Sequence, residues 1–180
     1  MSLETIDVRD LIGHPGTSRS QRLQGTLADL GTELARVLDD APIRGDLLLE
    51  SVVEGVLVTG IVSGTWHLRC ARCLREVDAP FEVRVSEMFA PHPDEDADQY
   101  PIAADGSIDP EQMVRDVVGV ELPFSPLCRP DCQGLCPVCG GDLNLGECPG
   151  HEQIEPRFAA LSGLLSELQT IESERPNTER

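Results

Sequence analysis

Lysine is absent from this 180-residue chain: all 14 basic residues are arginine, against 32 acidic residues, for a net charge of −18. A field of that sign repels phosphate at long range and argues against broad, non-specific nucleic-acid binding. Aromatic residues are nearly as scarce, with one Trp, one Tyr and four Phe, so a core must be packed from Leu, Val, Ile and Ala. No stretch approaches the ~20 apolar residues of a membrane span. The chain opens without a basic, apolar signal segment, so a cytoplasmic, reducing compartment is expected, where structural disulfides are rare. The sequence also lacks an H-E-x-x-H, an H-x-E paired with P-C-x-x-C, a glycine-rich phosphate loop and a G-x-S-x-G elbow. No catalytic signature is left, and no enzyme or small-molecule substrate is expected.

What the chain does have is cysteine. Residues 128–151, CRPDCQGLCPVCGGDLNLGECPGH, hold five of the seven cysteines and one of the four histidines. Cys128, Cys132, Cys136, Cys139, Cys148 and His151 follow one another at spacings of x3, x3, x2, x8 and x2. Zinc takes tetrahedral sulfur and nitrogen ligands delivered in closely spaced pairs, because two thiolates two to four residues apart reach one ion from a single turn. Pro137, Gly140 and Gly141 fit such a turn. Cys70 and Cys73 (CARC) form a further pair upstream. Seven cysteines and His151 make eight ligands, enough for two four-ligand sites. The expected pairing is Cys70, Cys73, Cys128 and Cys132 at one zinc, with Cys136, Cys139, Cys148 and His151 at a second. Two rivals stay open: one zinc held by Cys128, Cys132, Cys136 and Cys139, or a ribbon joining the pairs at 70/73 and 136/139. Spacing alone does not choose among them. A redox CxxC is disfavoured, since nothing around Cys70 reads as a strand-to-helix turn.

The expected fold is α+β, a mainly antiparallel β-sheet core with two or three helices and a C-terminal cysteine-rich zinc-binding segment. Residues 3–12 alternate loosely as a first short strand. Leu23, Leu27, Leu30, Leu34, Val37 and Leu38 recur near helical spacing and favour a helix, although Gly25, Thr26, Gly31 and Thr32 keep short strands at 22–27 and 33–38 open. Strands are expected at about 46–53, 55–69 and 76–89, with Cys70 and Cys73 at a hairpin tip. The acidic run 91–99 reads as a solvated loop. Asp109–Pro110–Glu111 has the order of an N-cap, a first-position proline and a first-turn acid, so a helix should run from 110 to about 121 and bury Met113, Val114, Val117, Val118 and Leu122. Pro156 starts a last helix with Phe158, Leu161, Leu164, Leu165 and Leu168 on one face, and 174–180 should fray. The organisation expected is a core domain over 1–127, a zinc-binding segment over 128–151 and a C-terminal helix and tail over 152–180.

LLLESVVEGVLVTG leading into CARCL, SIDPEQMVRDVVGVELPFSPLC, CRPDCQGLCPVCGGDLN and IEPRFAALSGL together resemble the YceD family, the large ribosomal RNA subunit accumulation proteins. The resemblance covers roughly residues 40–165. It implies a cytoplasmic bacterial protein, with chloroplast relatives, that supports synthesis, processing or stability of 23S ribosomal RNA without catalysis. It also implies metal ligands at Cys70, Cys73, Cys128, Cys132, Cys136 and Cys139, whereas Cys148 and His151 rest on ligand arithmetic.

Two partner classes follow. Arg69, Arg72 and Arg75 surround the first cysteine pair and Arg129 lies beside the second, so a zinc joining them gathers four guanidiniums, which suit bidentate phosphate contact with precursor large-subunit particles. The competing reading pairs these arginines with Glu76, Asp78 and Asp131. Alternatively, the net negative charge steers the chain to a basic ribosomal protein, as an acidic adaptor. Catalytic zinc is disfavoured, because sulfur-rich four-ligand sites are closed.

Overall fold

Apolar and polar residues alternate from Ile43 to Ala90, and this stretch forms three long strands in the computed structural model, which describes residues 3–94, 98–151 and 161. The chain divides into two units after Gly134. In chain order the first unit contains β1 (Ile6–Asp7), β2 (Ser18–Gly25), β3 (Leu30–Gly31), β4 (Ala35–Val37), β5 (Ile43–Ser51), β6 (Val56–Arg69), β7 (Glu76–Ala90), β8 (Gln99–Pro101), β9 (Ser107–Ile108) and α1 (Pro110–Val120).

The sheet is organised on β6. Its whole length pairs antiparallel with β7, from Val56↔Phe89 to Arg69↔Glu76. A strand has only two edges, so β5 and β4 share the other one. β5 takes Val56–Ser63 and β4 takes the end at His67 and Leu68. β2 extends the sheet beyond β5, β3 pairs with β4, and β8 adds to β7 in parallel; β1 and β9 form a separate two-stranded ladder.

The period of two gives the sheet one dry face. Ile43, Leu47 and Leu49 of β5, Val56, Val58 and Val62 of β6 and Val83, Val85 and Phe89 of β7 are buried there, covered by Leu3, Ile6, Val8 and Leu11 and by Met113, Val114 and Val118 of α1. Aliphatic side chains dominate this core, as the scarcity of aromatics requires. An aromatic stack inside it, Trp66 on Phe81 at 4.2 Å between ring centroids, needs Gly64, where a Cβ would come within 2.6 Å of the Phe81 ring. Helix α1 starts as its sequence dictates: Asp109 caps it by accepting from the Glu111 N–H at 2.9 Å, and Pro110 occupies the first turn.

Two expectations change. The leucine spacing from 23 to 38 favours a helix, but the structure forms strands β2, β3 and β4 there. Asp29 (φ 53°) and Gly31 (φ 143°) leave the right-handed helical region, and Thr32 Oγ1 accepts from the N–H groups of Leu34 and Ala35, turning the chain back. Leu23, Leu27, Leu30 and Val37 still reach the core, so burial through strands and turns mimics a helical period. Among the described residues there is one helix, fewer than the two or three expected. Of the helix expected from 156 only Leu161 is described, and it is helical; the tail at 174–180 lies outside the described residues. No helix among those described is long and apolar enough to cross a membrane.

Candidate metal centres and the basic turn

The β6–β7 hairpin ends in Cys70-Ala71-Arg72-Cys73-Leu74-Arg75. The turn is closed by the Cys70 N–H on the Arg75 carbonyl and the Leu74 N–H on the Cys70 carbonyl, both at 2.9 Å, with Leu74 held at φ 59°. Pro123 and Pro126 end the excursion of α1, and the Pro126 carbonyl accepts from the Ala71 N–H at 2.8 Å. That bond delivers Cys128 to the hairpin tip. Arg72 Nη1 then donates to the Cys132 carbonyl at 2.7 Å.

Cys70, Cys73, Cys128 and Cys132 meet there, with all four sulfurs within 4.8 Å of one another. Cys70 lies 3.8 Å from Cys132, and Cys73 lies 3.6 Å from Cys128. Sulfurs about 2.3 Å from one zinc at the corners of a tetrahedron sit about 3.8 Å apart, whereas a disulfide needs about 2.05 Å. The thiols are strongly perturbed. Burial pushes Cys70 up, but N–H groups of residues 128, 73 and 72 outweigh it and hold the thiol at about 6. Burial and the three neighbouring sulfurs push Cys128 up to about 12. Cys73 accepts from the Arg75 N–H, yet burial and the sulfurs of Cys70 and Cys132 raise it. Four thiolates this close repel one another, and a divalent cation relieves that repulsion. The donor set therefore fits a soft or borderline metal ion.

The second unit repeats the arrangement. The Cys136 N–H bonds the Gly141 carbonyl and the Gly140 N–H bonds the Cys136 carbonyl, both at 2.9 Å, with Gly140 at φ 72°. Leu135 and Asp142 form a bridge below the turn. Asp142 and Glu147 brace the loop: Asp142 Oδ1 accepts from the Asn144 N–H, and Glu147 Oε2 accepts from the Asp142 N–H. Cys148 and His151 return to Cys136 and Cys139, and the four ligand atoms again lie within 4.8 Å. N–H groups of Cys139 and Val138 hold the Cys136 thiol at about 7, against burial. Cys148 accepts from the Gly150 N–H, but burial and the other sulfurs push it up. Both sites thus share one local device, a leading cysteine that accepts from the N–H groups two and three residues ahead.

Arg69, Arg72, Arg75 and Arg129 are all exposed around the first cluster. Arg69 pairs with Glu76 at 3.2 Å and Arg129 with Asp131 at 3.3 Å, while Asp78 pairs with His67. Two residues without local sequence signal join this end of the unit. The β4–β6 ladder sets Arg36 opposite His67, and the Pro-flanked loop after α1 presents Phe124, which is 100% exposed.

The family model for the large ribosomal RNA subunit accumulation protein YceD matches residues 58–165, a span that contains all eight candidate ligands. An uncharacterized protein of Mycobacterium tuberculosis is 43% identical over 183 residues, covering 95% of this chain and 86% of that protein. An uncharacterized protein of Bacillus subtilis is 29% identical, covering 78% and 83%. A chloroplastic large ribosomal RNA subunit accumulation protein homolog of Arabidopsis thaliana is 32% identical over 69 residues, covering 38% of this chain and 22% of that protein. No solved structure matches the chain.

Proposed function

The chain belongs to the YceD family of large ribosomal RNA subunit accumulation proteins, and on that premise we propose that it is a non-enzymatic factor supporting synthesis, processing or stability of 23S ribosomal RNA. Two zinc ions hold its structure, one on Cys70, Cys73, Cys128 and Cys132 and one on Cys136, Cys139, Cys148 and His151. The observation that carries the reading is the family match across both cysteine groups. Zinc supplies cross-links here rather than a reactive centre. Each group already offers four protein ligands, so no coordination position is left for a substrate or water. The metal-proximal arginines supply the contact to precursor particles.

Purification of the tagged chain from growing cells, followed by gradient sedimentation, tests this. Co-sedimentation with precursor large-subunit particles is expected, together with a lower ratio of large- to small-subunit ribosomal RNA when the gene is removed. A normal ratio in the deletion strain would defeat the proposal.

A second reading is favoured by one specific feature. A groove of about 640 Å³ between β7, β8 and α1 is lined by Glu87, Asp98, Asp116 and Glu121, with Arg84 beside them. An acidic adaptor would use it for cationic side chains of a ribosomal protein. Association that survives nuclease treatment would support this reading over direct RNA contact.

A further inference from the structure

The first unit exposes Phe124 completely, while Phe81 and Phe89 are buried to 7% and 1% exposure. Burying a Phe side chain stabilises a fold, so a chain this poor in aromatics leaves a contribution unused at Phe124. The loop that carries it is stiff. Pro123 and Pro126 flank it, and the Pro126 carbonyl is tied to the Ala71 N–H of the metal turn. The ring borders an apolar cleft of about 340 Å³ whose wall includes Leu34, Leu122 and Pro123. A second cleft of about 260 Å³ is lined by Glu33, Arg36, His67, Arg69 and Glu76. Glu33 lines both, and the Arg69 N–H on the Leu34 carbonyl at 2.7 Å locks their relative position.

A flat apolar platform, a carboxylate and a pair of guanidiniums in that order match the chemistry of one nucleotide: base face, base edge and phosphate. We propose that single-stranded RNA docks here, with a base stacked on Phe124, its amino group donating to Glu33, and the adjoining phosphate held by Arg36 and Arg69. This rests on the large-subunit RNA reading and names the form of RNA and the residues that take it. Duplex RNA keeps its base faces stacked and offers none to the ring, whereas unpaired bases splay onto aromatic side chains. A carboxylate accepts from cytosine N4 but faces a like dipole at uracil O4, so the site favours cytosine over uracil. The ion pair between Arg69 and Glu76 is exposed, hence weak, and its guanidinium is available to exchange Glu76 for phosphate. The net charge of −18 opposes long-range capture, so the site works on RNA already brought close in a particle, or at salt sufficient to screen that field.

The test is fluorescence anisotropy of labelled oligo(C), oligo(U) and a hairpin duplex against the full chain as purified. Oligo(C) should bind more tightly than oligo(U), and the duplex weakly. Phe124→Ala, which leaves the core intact, should weaken oligo(C) binding about tenfold, and Phe124→Tyr should restore it. Glu33→Ala should abolish the preference for oligo(C) without weakening oligo(U). Oligo(C) affinity unchanged in Phe124→Ala, or a preference that survives Glu33→Ala, overturns the proposal. If the wild type co-sediments with large-subunit particles but binds no oligonucleotide, this docking mode is refuted while the ribosomal reading stands. Binding of an arginine-rich peptide that disappears in Phe124→Ala also refutes it, in favour of a protein partner.

Discussion

Cys70 and Cys132 hold their sulfurs 3.8 Å apart although 62 positions separate them in the chain. An ion shared by these two residues would tie the tip of the β6–β7 hairpin to the segment after α1, closing a long loop through the middle of the sheet. A cross-link over a loop of that length removes much of the unfolded chain's freedom.

Cys73→Ser should therefore act on the whole first unit. Cys73 is 8% exposed and faces Cys128 at 3.6 Å, so a serine there offers the ion a poorer, neutral ligand. Structural zinc supplies on the order of 10 kcal/mol of apparent folding free energy in small modules. The native chain should carry two zinc ions by elemental analysis, and the variant one, with a lower melting temperature and less soluble protein. One zinc in the native chain, unchanged in the variant, would contradict the two-site reading.

The parts legible in the sequence are those with a local cause. The hairpin of β6 and β7 follows from alternation, and α1 from Asp109 and Pro110. The cysteine pairs are legible because each is one turn long. The path from 23 to 38 is not, because Leu23, Leu27, Leu30 and Val37 bury themselves through strands and turns that happen to repeat near a helical period. Phe124 and Arg36 are illegible for another reason. They join the Arg69 end of the sheet only through the Ala71–Pro126 bond and the β4–β6 ladder, which are long-range pairings that neither residue's neighbourhood encodes.

Glu87 should make stability depend on pH in the reverse of the usual carboxylate sense. Burial, with Asp98 and Asp116 facing it, raises its pKa above the ordinary 4.5. A carboxyl raised in the folded state favours the fold when protonated, and it costs stability as pH rises through and beyond that ordinary value. Glu87→Gln should accordingly raise the melting temperature at neutral pH and lose the gain near pH 4. Thermal melts of both proteins across that range would reveal an equal effect at the two ends, if the idea is wrong.

The two metal groups should release zinc in a fixed order. Cys70, Cys73 and Cys132 are buried and Cys128 is half-buried, whereas in the second group Cys136 alone of the cysteines is buried, Cys148 is half-buried and Cys139 is exposed. A chelator reaches open ligands first, so zinc transfer to a chromophoric chelator should show two phases of equal size. Cys139→Ser should delete the fast phase and leave the slow one intact. A single phase in the native chain would mean that exposure does not set the order.

The arginines around the first metal turn should carry the association with large-subunit particles, and the structure says which of them to change. Arg72 donates to the Cys132 carbonyl, so removing it would loosen the metal turn and confuse two effects. Arg69, Arg75 and Arg129 are exposed, and the ion pairs of Arg69 with Glu76 and Arg129 with Asp131 are surface pairs worth ~0–1 kcal/mol each. Replacing these three with Gln should leave the melting temperature and zinc content nearly unchanged. Co-sedimentation should weaken, and its salt dependence should flatten by about one unit of slope for each phosphate no longer neutralised. The change runs against bulk electrostatics, since it makes an already acidic protein more so. A protein partner attracted by negative charge would bind the variant at least as well. Association that strengthens or holds in the triple variant would move the binding surface to the groove lined by Glu87, Asp98, Asp116 and Glu121, and with it the function from RNA recognition to adaptor.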